Sequence, residues 1–284
     1  MKFIHISDLH IHYGENENDT ISARLLVNEI ISKYTSSNKP WVVITGDLVQ
    51  DGRKRQYKKA VEILSELIEN GFKLLIQPGN HDYGPRGFIA YTELAQGRFQ
   101  KYILGRLLDD KRALQSGVEM EDLYPRLIEH DDDGVVFIEL DSVEEVEDAP
   151  AHFARGAIGS FQMRKMVTEI DKAKSSGKKV VVLVHHHPFY RGELAAPVME
   201  MEDSREFMTA IKGKVDVLCF GHKHKSDCWS FVSNQDRDGY SEKYQVPWIL
   251  ASGKSNDRTK DGKLFFREVE ISRTGISMSE VKVG

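Results

Sequence analysis

The chain opens with Lys2-Phe3-Ile4-His5-Ile6-Ser7-Asp8-Leu9-His10, an apolar run that ends in two side chains able to bind metal ions. This composition predicts a β-strand over residues 3–7. Side chains at positions i and i+2 of an extended chain point the same way, so Asp8 and His10 can ligate one ion together. His5, inside the strand, is expected to be a hydrogen-bonded core residue. The stretch therefore predicts a strand whose carboxyl end supplies metal ligands.

Four later segments repeat this arrangement of an aliphatic run followed by Asp, Asn or His. They are Gly46-Asp47, Gly79-Asn80-His81-Asp82, His185-His186-His187-Pro188 and Gly221-His222-Lys223-His224. Open α/β sheets place their ligand sites at the carboxyl ends of the strands, so these segments are expected to converge along one sheet edge. In three of them a glycine would permit the tight turn that swings the next side chain into the site.

Strands and helices are predicted to alternate in the first third of the chain. Residues 41–45 and 72–77 have the composition of strands, and residues 21–34 and 54–69 that of amphipathic helices. His10, Asp47 and Asn80 are separated by 37 and 33 residues, close to the roughly 30 residues of a β-α-β unit. Three parallel strands with right-handed crossovers are expected to follow.

The rest of the chain changes pattern twice. Residues 84–130 are predicted to form a helical cap insertion, with helices at 88–108, 109–114 and 123–127 and no strand. Strands at 135–140, 179–184 and 215–220 alternate with helices at 161–174 and 204–211. The short strands at 228–232, 248–251, 264–271 and 276–283 suggest antiparallel hairpins in a second sheet. Residues 1–284 are interpreted as a single domain with this insertion.

Composition limits the classes of function. With 284 residues, 40% of them hydrophobic and 29% charged, the chain is typical of a globular protein that can bury a core. Its net charge of −5 gives no general basic field, so non-specific binding of nucleic acid is not favoured. Arg53-Lys54-Arg55 with Lys58-Lys59 is the best candidate for a local basic patch, although such runs are more often solvated helix faces.

Cysteine usage and hydropathy indicate a compartment. Cys219 and Cys228 form no disulfide framework and lack zinc-finger spacing, which favours a reducing environment. The sequence begins without the features of a signal peptide, and no apolar run approaches the ~20 residues of a membrane helix. These features predict a cytoplasmic, soluble protein without a membrane segment.

The donor atoms of the five segments suit two transition-metal ions. Carboxylates and imidazoles favour manganese, iron or zinc over calcium, which prefers oxygen ligands alone. If the histidine triplet supplies one ligand there are seven, too many for one tetrahedral ion and about right for two ions that share a carboxylate. The ligands other than the triplet are Asp8, His10, Asp47, Asn80, His222 and His224.

Two such ions would polarise a phosphoryl oxygen and acidify a bridging water, which supplies a nucleophile at neutral pH. The leaving oxygen then needs a proton, and His81, next to Asn80, is the natural general acid. Asp82 either orients His81 or hydrogen-bonds the turn. His12, Tyr13 and Arg86 are candidates for substrate contacts, since they directly follow the first and third motifs.

In order along the chain, the five segments read D-x-H, G-D, G-N-H-D, H and G-H-x-H, and they resemble the calcineurin-like metallophosphoesterases. The pattern runs from Asp8 to His224, about three quarters of the chain. The resemblance implies an α/β fold in four layers, α-β-β-α, with two mixed β-sheets flanked by helices. It also implies a metal-dependent phosphoric ester hydrolase. Members of this family often form dimers, so a homodimer is one possibility.

The resemblance also implies a role for each ligand. One ion would take Asp8, His10, Asp47 and His224, and the other Asp47, Asn80, His186 and His222. Asp47 would bridge the two ions, and His81 would lie at the leaving group. Family members usually ligate through the histidine two residues before the proline, which selects His186. His185 and His187 would then point away, where either can contact substrate.

The second segment separates branches of the family. Asp47 is followed by Leu48-Val49-Gln50-Asp51-Gly52, which lacks the Asp-Arg-Gly that phosphoprotein phosphatases have in this segment. The chain is therefore more similar to bacterial phosphodiesterases. Hydrolysis of a phosphodiester or phosphomonoester in a small molecule is the main hypothesis. A nuclease acting on DNA or RNA would use the same ions but needs a basic groove. A non-catalytic protein-binding scaffold is the second alternative, although here no ligand is lost.

Overall fold

Two mixed β-sheets form the centre of the molecule. The computed structural model describes residues 1–14, 18–84, 93–143, 155–189, 201–272 and 274–284. In this part of the chain, the first sheet contains β1 (Lys2–Ile6), β2 (Trp41–Thr45), β3 (Leu74–Gln77), β10 (Leu264–Ile271) and β11 (Ile276–Val283). Their order is β11-β10-β1-β2-β3, with β1, β2 and β3 parallel and the last two strands antiparallel.

The second sheet places four parallel strands between two antiparallel edge strands. Its strands are β4 (Arg126–His130), β5 (Val135–Glu139), β6 (Lys179–Leu183), β7 (Val217–Phe220), β8 (Asp227–Trp229) and β9 (Trp248–Ala251). They lie in the order β4-β5-β6-β7-β9-β8. Strands β5, β6, β7 and β9 run parallel, so their carboxyl ends meet at one edge of this sheet.

Helices cover the outer faces of both sheets. The described helices are α1 (Asn18–Lys33), α2 (Lys54–Glu69), α3 (Asn80–Tyr83), α4 (Glu93–Phe99), α5 (Met120–Leu123), α6 (Gly159–Ser175), α7 (Ser204–Ile211) and α8 (Tyr240–Tyr244). Helix α4 continues as a π-helical segment, Gln100–Leu107, and short 3-10 turns occur at Arg112–Leu114 and Asp131–Asp133.

Successive side chains of each strand point to opposite faces of its sheet, and this alternation produces the layers. In β1 and β2, Ile4 and Val42 pack into the core shared with α1 and α2, while Phe3 and Val43 pack between the two sheets. This is the period of two that an extended chain imposes on its side chains. A third core joins the outer face of the second sheet to α6 and α7. The four-layer α-β-β-α fold expected from the sequence is confirmed.

The inserted segment packs beside α2. The ring of Tyr57 on α2 lies 6.3 Å from Phe99 and stacks on Tyr102 at 6.4 Å, so the π-helical segment extends this helical layer. Residues 85–92, and with them the start of the helix predicted at 88–108, lie outside the described residues. That the insertion caps the site stays a prediction.

Two expectations for secondary structure are wrong. The helix predicted at 123–127 is replaced by α5 and by β4, which pairs antiparallel with β5 and places a strand in the insertion. The tail does not form a sheet of its own. Its last two strands, β10 and β11, extend the first sheet beside β1, whereas β9 joins the second sheet parallel to β7.

A buried polar network ties the insertion to both sheets. Arg126 on β4 pairs with Glu139 at the end of β5 at 2.9 Å, and Gln77 at the end of β3 donates to the same carboxylate at 2.7 Å. Asp110 lies 3.4 Å from the Arg126 guanidinium. Burying Glu139 without these donors would be costly, so the network fixes β4 against the sheet ends.

Within the described residues, none of the helices combines the length and the apolar character that crossing a bilayer requires.

Candidate metal centre

Strand pairing continues into the loops that follow β1 and β2. Asp8 N donates to Gly46 O at 3.1 Å, and His10 N donates to Asp47 O at 2.9 Å. A further bridge joins Ile11 to Val49. These bonds hold the two loops side by side beyond the sheet edge. The carboxylates and imidazole of the first two motifs are therefore placed together by backbone pairing.

The backbone of several predicted ligands lies in the left-handed region. The φ angles are 56° at Asp8, 45° at His10, 51° at Asp47, 79° at His222 and 51° at His224. Such a conformation costs a residue other than glycine on the order of 1–3 kcal/mol, and it is concentrated at functional sites. This backbone conformation turns each side chain away from its strand and toward the common edge.

Four of the predicted ligands form a first cluster. The donor atoms of Asp8, His10, Asp47 and His224 all lie within 4.8 Å of one another. His10 Nε2 is 2.9 Å from His224 Nε2, and His224 Nε2 is 3.5 Å from Asp8 Oδ1. Adjacent nitrogens that each lie ~2.1 Å from one ion would be about 3 Å apart, so this spacing fits a shared cation.

A second cluster lies beside the first and is deeply buried. It brings together ring nitrogens of His185, His186 and His222 within 4.8 Å. The side-chain oxygen of Asn80 faces it, 3.0 Å from His185 Nε2 and 3.1 Å from His222 Nδ1. The structure therefore places Asn80 with the histidines of the fourth and fifth motifs.

The Asp47 carboxylate lies between the two clusters. Its Oδ2 is 3.7 Å from His10 Nε2 in the first cluster and 3.4 Å from His185 Nε2 in the second. Its Oδ1 accepts a hydrogen bond from His81 N at 2.9 Å. Burial opposes ionisation of this carboxyl, but the imidazoles of His185 and His81 hold the pKa of Asp47 well below its usual range. The position and the charge are those that a bridging ligand needs.

The histidine triplet differs from expectation. His185 points into the second cluster instead of away, and its Nδ1–H donates to Thr45 O at 2.7 Å. His186 also reaches this cluster, and its Nδ1 is 2.8 Å from Ser142 Oγ. A backbone or hydroxyl partner on one ring nitrogen is how ligating histidines are usually oriented.

His187 lies apart from both clusters. Its ring packs against Phe189 at 4.9 Å and Phe220 at 4.8 Å, and its Nδ1 is 3.0 Å from Phe189 O. The side chain is buried, covered by aromatic groups. This environment does not favour the substrate contact suggested by the sequence.

His81 is held by one ring nitrogen. Its Nδ1–H donates to the backbone oxygen of Gln50 at 2.9 Å, and its ring meets that of His10 edge to face at 4.6 Å. The hydrogen bond fixes the ring and leaves Nε2 as the nitrogen that can exchange a proton. The side chain is only partly buried, so it can reach a bound molecule.

Asp82 bonds the turn, which was one of its two expected roles. Its carboxylate accepts hydrogen bonds from the backbone N–H groups of Gly79 at 2.8 Å, Val49 at 3.0 Å and Leu48 at 3.2 Å. Burial and the neighbouring Asp47 raise the pKa of Asp82 to about 7. The residue therefore ties the second and third motifs together.

The motif glycines are required mostly by close approach. A Cβ on Gly79 would overlap the backbone nitrogen and the carboxylate of Asp47, and one on Gly221 would overlap Ser7 Oγ. The tight-turn explanation holds for Gly46, whose φ is +88°, but a left-handed φ is not found at the other two. Glycine is therefore needed where two ligand loops touch.

The candidate substrate-contact residues that the structure describes differ in exposure and in their neighbours. His12 is partly exposed, with its Nε2 4.0 Å from Asp19 Oδ2. Tyr13 has half its surface exposed, and its ring lies 5.3 Å below the Arg55 guanidinium. Arg86 lies outside the described residues. His5, in contrast, is buried with its Nε2 2.9 Å from Thr45 Oγ1, as expected of a core histidine.

Sequence reasoning missed the groups that orient the ligands. Ser142 Oγ, Thr45 O and Gln50 O position His186, His185 and His81 respectively. A polar residue soon after the strand β5 was the available signal for Ser142. Every residue has a backbone oxygen, so the sequence gives no signal that those of Thr45 and Gln50 orient histidines.

The residues present fit two transition-metal ions. Nε2 of His186 and Nε2 of His222 are buried and lack a hydrogen-bond partner among the described residues, which is unusual for polar atoms. Burial lowers the pKa values of His10, His186 and His222 well below the usual range, so these imidazoles are neutral and keep a lone pair for a metal. With the carboxylates, they form a donor set suited to manganese, iron or zinc.

Comparisons with known proteins identify a family and similar folds. The family model for calcineurin-like phosphoesterases matches residues 1–226. A dimetal phosphatase from Danio rerio has a similar structure, with 14% identity, a TM-score of 0.64, and coverage of 99% of this chain and 95% of that one. A purple acid phosphatase from yellow lupin is 12% identical, with a TM-score of 0.58 and coverage of 99% and 51%. At these identities the likeness shows the fold alone.

One curated relative matches over a shorter stretch. A "Probable cyclic nucleotide phosphodiesterase" from Synechococcus sp. (strain WH7803) is 33% identical over 72 residues, which are 25% of this chain and 27% of the relative. The match thus spans about a quarter of that relative's length.

Proposed function

Because the chain belongs to the calcineurin-like phosphoesterase family, we propose that it hydrolyses phosphodiesters or phosphomonoesters of small molecules at a two-metal centre. The observation that carries the proposal is the position of the Asp47 carboxylate, 3.7 Å from His10 Nε2 and 3.4 Å from His185 Nε2. A single carboxylate between two clusters of imidazoles is the arrangement that a pair of ions requires.

The ligand assignment follows the two clusters. Asp8, His10, Asp47 and His224 would hold one ion, and Asp47, Asn80, His222 and the histidine pair 185–186 would hold the other. Bound there, two transition-metal ions would polarise a phosphoryl oxygen and lower the pKa of a water molecule. His185 joins His186 in this assignment because its Nε2 is the ring nitrogen 3.0 Å from Asn80 Oδ1.

His81 is proposed as the general acid. Its Nδ1 is engaged by Gln50 O, so Nε2 is the atom that would protonate the leaving oxygen. The backbone N–H of the same residue donates to Asp47 Oδ1, which keeps the ring next to the metal centre. A positioned proton donor of this kind accelerates a reaction by roughly 10²- to 10⁴-fold.

The substrate class is inferred from three observations. The relative from Synechococcus is named a "Probable cyclic nucleotide phosphodiesterase", and the segment from Asp47 to Gly52 lacks the Asp-Arg-Gly of phosphoprotein phosphatases. The exposed ring of Tyr13, beside the Arg55 guanidinium, offers a flat apolar surface next to a positive charge. A small ester with an aromatic or nucleobase group suits that surface.

The test is a hydrolysis panel with Mn²⁺, run on the wild type and on His81→Ala. The panel contains cyclic AMP, glycerophosphodiesters, bis-p-nitrophenyl phosphate, p-nitrophenyl phosphate, a phosphopeptide and single-stranded DNA. A preferred small diester that the variant no longer cleaves would support the proposal. If the metal-loaded wild type cleaved neither p-nitrophenyl ester nor any small ester, the proposal would fail.

A nuclease is the alternative that one observation favours. Arg55, in the first turn of α2, lies over the Tyr13 ring at 5.3 Å, and Arg53, which directly precedes α2, has a side chain that is 72% exposed. A basic and aromatic rim is also how single strands are bound. Cleavage of single-stranded DNA in the panel at rates above those of every small diester would select this alternative.

A further inference from the structure

The loop of residues 252–257, which follows β9, is fastened to the first metal-binding segment. Ser255 N donates to Ser7 O at 3.0 Å, and Ser7 N donates to Ser255 Oγ at 2.9 Å. Asn256 Nδ2 donates to Leu9 O at 2.7 Å. The loop therefore brackets Asp8 on both sides, although it lies beyond the residues that the family model matches.

The same loop also contacts the fifth motif. Gly253 N donates to Ser226 Oγ at 2.9 Å, and a Cβ added to Gly253 would lie only 3.2 Å from His224 O. Lys254 is thus carried on a loop held between the segments that supply Asp8 and His224. These are the two ends of the first cluster.

The Lys254 side chain places a positive charge there. It is 16% exposed, and Nζ donates to Asp19 Oδ1 at 2.7 Å, with Asp257 Oδ1 at 3.6 Å. An ammonium group carries three N–H donors, so it can bind an anion while it keeps Asp19. Asp19, the partner of Lys254, also faces the first motif, because its Oδ2 lies 4.0 Å from Nε2 of His12, two residues after His10. The ammonium group is therefore placed beside the segment that supplies Asp8 and His10.

We propose that Lys254 is a substrate-binding residue whose ammonium group contacts a non-bridging phosphoryl oxygen of the ester bound at the first cluster. This rests on the proposed function. A lysine is a compact point charge that binds phosphate without bidentate geometry. Its ion pair with Asp19 fixes where the ammonium lies before substrate arrives. The loop thereby gives residues outside the five motifs a part in substrate affinity.

The experiment compares Lys254→Met, Lys254→Arg and Lys260→Met in the Mn²⁺-loaded protein. Lys260 is an exposed lysine shortly after the same loop and serves as the matched control. Three quantities are measured for each variant: kcat and KM for bis-p-nitrophenyl phosphate, Kd for inorganic phosphate by calorimetry, and manganese content with melting temperature.

A lost charge-assisted hydrogen bond should weaken binding by about ten-fold or more. We therefore expect Lys254→Met to raise KM and the phosphate Kd by about this factor. Manganese content should not change. The value of kcat should stay within about two-fold of the wild type, because the lost contact stabilises the bound substrate and the transition state equally. Lys254→Arg should recover most of the affinity, and Lys260→Met should behave as wild type.

Two results would overturn the inference. In the first, Lys254→Met leaves KM and the phosphate Kd unchanged. In the second, manganese content and melting temperature fall together with affinity in both Lys254 variants, which is what a purely structural ion pair with Asp19 predicts. Failure of the proposed function looks different, because the wild type would then cleave no ester while the phosphate Kd still reports on Lys254.

Discussion

The two clusters that share Asp47 differ in how they meet solvent. In the first, the His224 side chain is 44% exposed, whereas the histidines of the second cluster are buried. The first is built from the first, second and fifth motifs and is bracketed by the 252–257 loop, whereas the second is built from histidines of the fourth and fifth motifs. This difference in exposure suggests that the open first cluster and the closed second cluster have different roles. Substrate would approach at the open cluster, while the closed one would retain its ion.

The largest effect should come from the residue that joins the two halves. Asp47→Asn keeps the shape of the side chain but removes the charge that both clusters need, so we expect both ions to bind weakly and activity to be lost. Elemental analysis and hydrolysis of bis-p-nitrophenyl phosphate measure this. Asp132→Asn, at an exposed position, is the control. Loss of one ion alone would mean that Asp47 belongs to a single cluster.

The next effect concerns His81, which lies beside the open cluster. His81→Ala should keep both ions and lower kcat by roughly 10²- to 10⁴-fold for esters with a poorly leaving alkoxide. Esters of p-nitrophenol should lose less, because this leaving group needs no proton. An equal loss for both kinds of ester would argue against the role of general acid.

The closed half is tested at the histidine triplet. We expect His185→Ala and His186→Ala each to weaken one of the two ions by more than about 100-fold, since even the groups that orient ligands contribute 10- to 100-fold. His187→Ala should keep both ions and serves as the neighbouring control. Calorimetric titration with Mn²⁺ measures the affinity of both ions in each of the three variants. Two tight sites in His185→Ala would leave His186 as the sole ligand of the triplet.

The smallest effect is on stability. Gly79→Ala forces a Cβ onto the Asp47 loop, and such overpacking costs typically about 1–3 kcal/mol of unfolding free energy. Gly97→Ala in α4 has open space and should be neutral or stabilising. Urea unfolding of the metal-free proteins compares them. Equal midpoints would show that the contact between the Gly79 and Asp47 loops relaxes without cost.

The three parallel strands of the first sheet and the order of the motifs were predictable because local patterns determine them. β1, β2 and β3 are apolar runs separated by helices of the right length, and their parallel pairing brings Asp8, Asp47 and Asn80 to one edge. Such β-α-β units need no information from distant parts of the chain. The predicted bounds of α2 agree with the structure for the same reason.

The rest depended on non-local pairing. The strand β4 has five residues of alternating burial, too few to distinguish from the end of a helical insertion. The hairpin β10–β11 has one apolar face, and nothing in it indicates that it joins β1, more than 250 residues away. The orientation of His185 was missed because the chain leaves its strand at Leu183, after which alternation no longer predicts direction.

The left-handed backbone of the ligands has an evolutionary consequence. Asp8, Asp47 and His222 have left-handed backbone conformations that glycine adopts without strain. Residues other than glycine at these positions therefore lower the free energy of unfolding of the metal-free chain. A lineage released from selection for catalysis should therefore drift toward glycine or asparagine at these positions and become more heat-resistant as it does so. The site would be the first part of the molecule to decay, and its decay would be favoured by the fold itself.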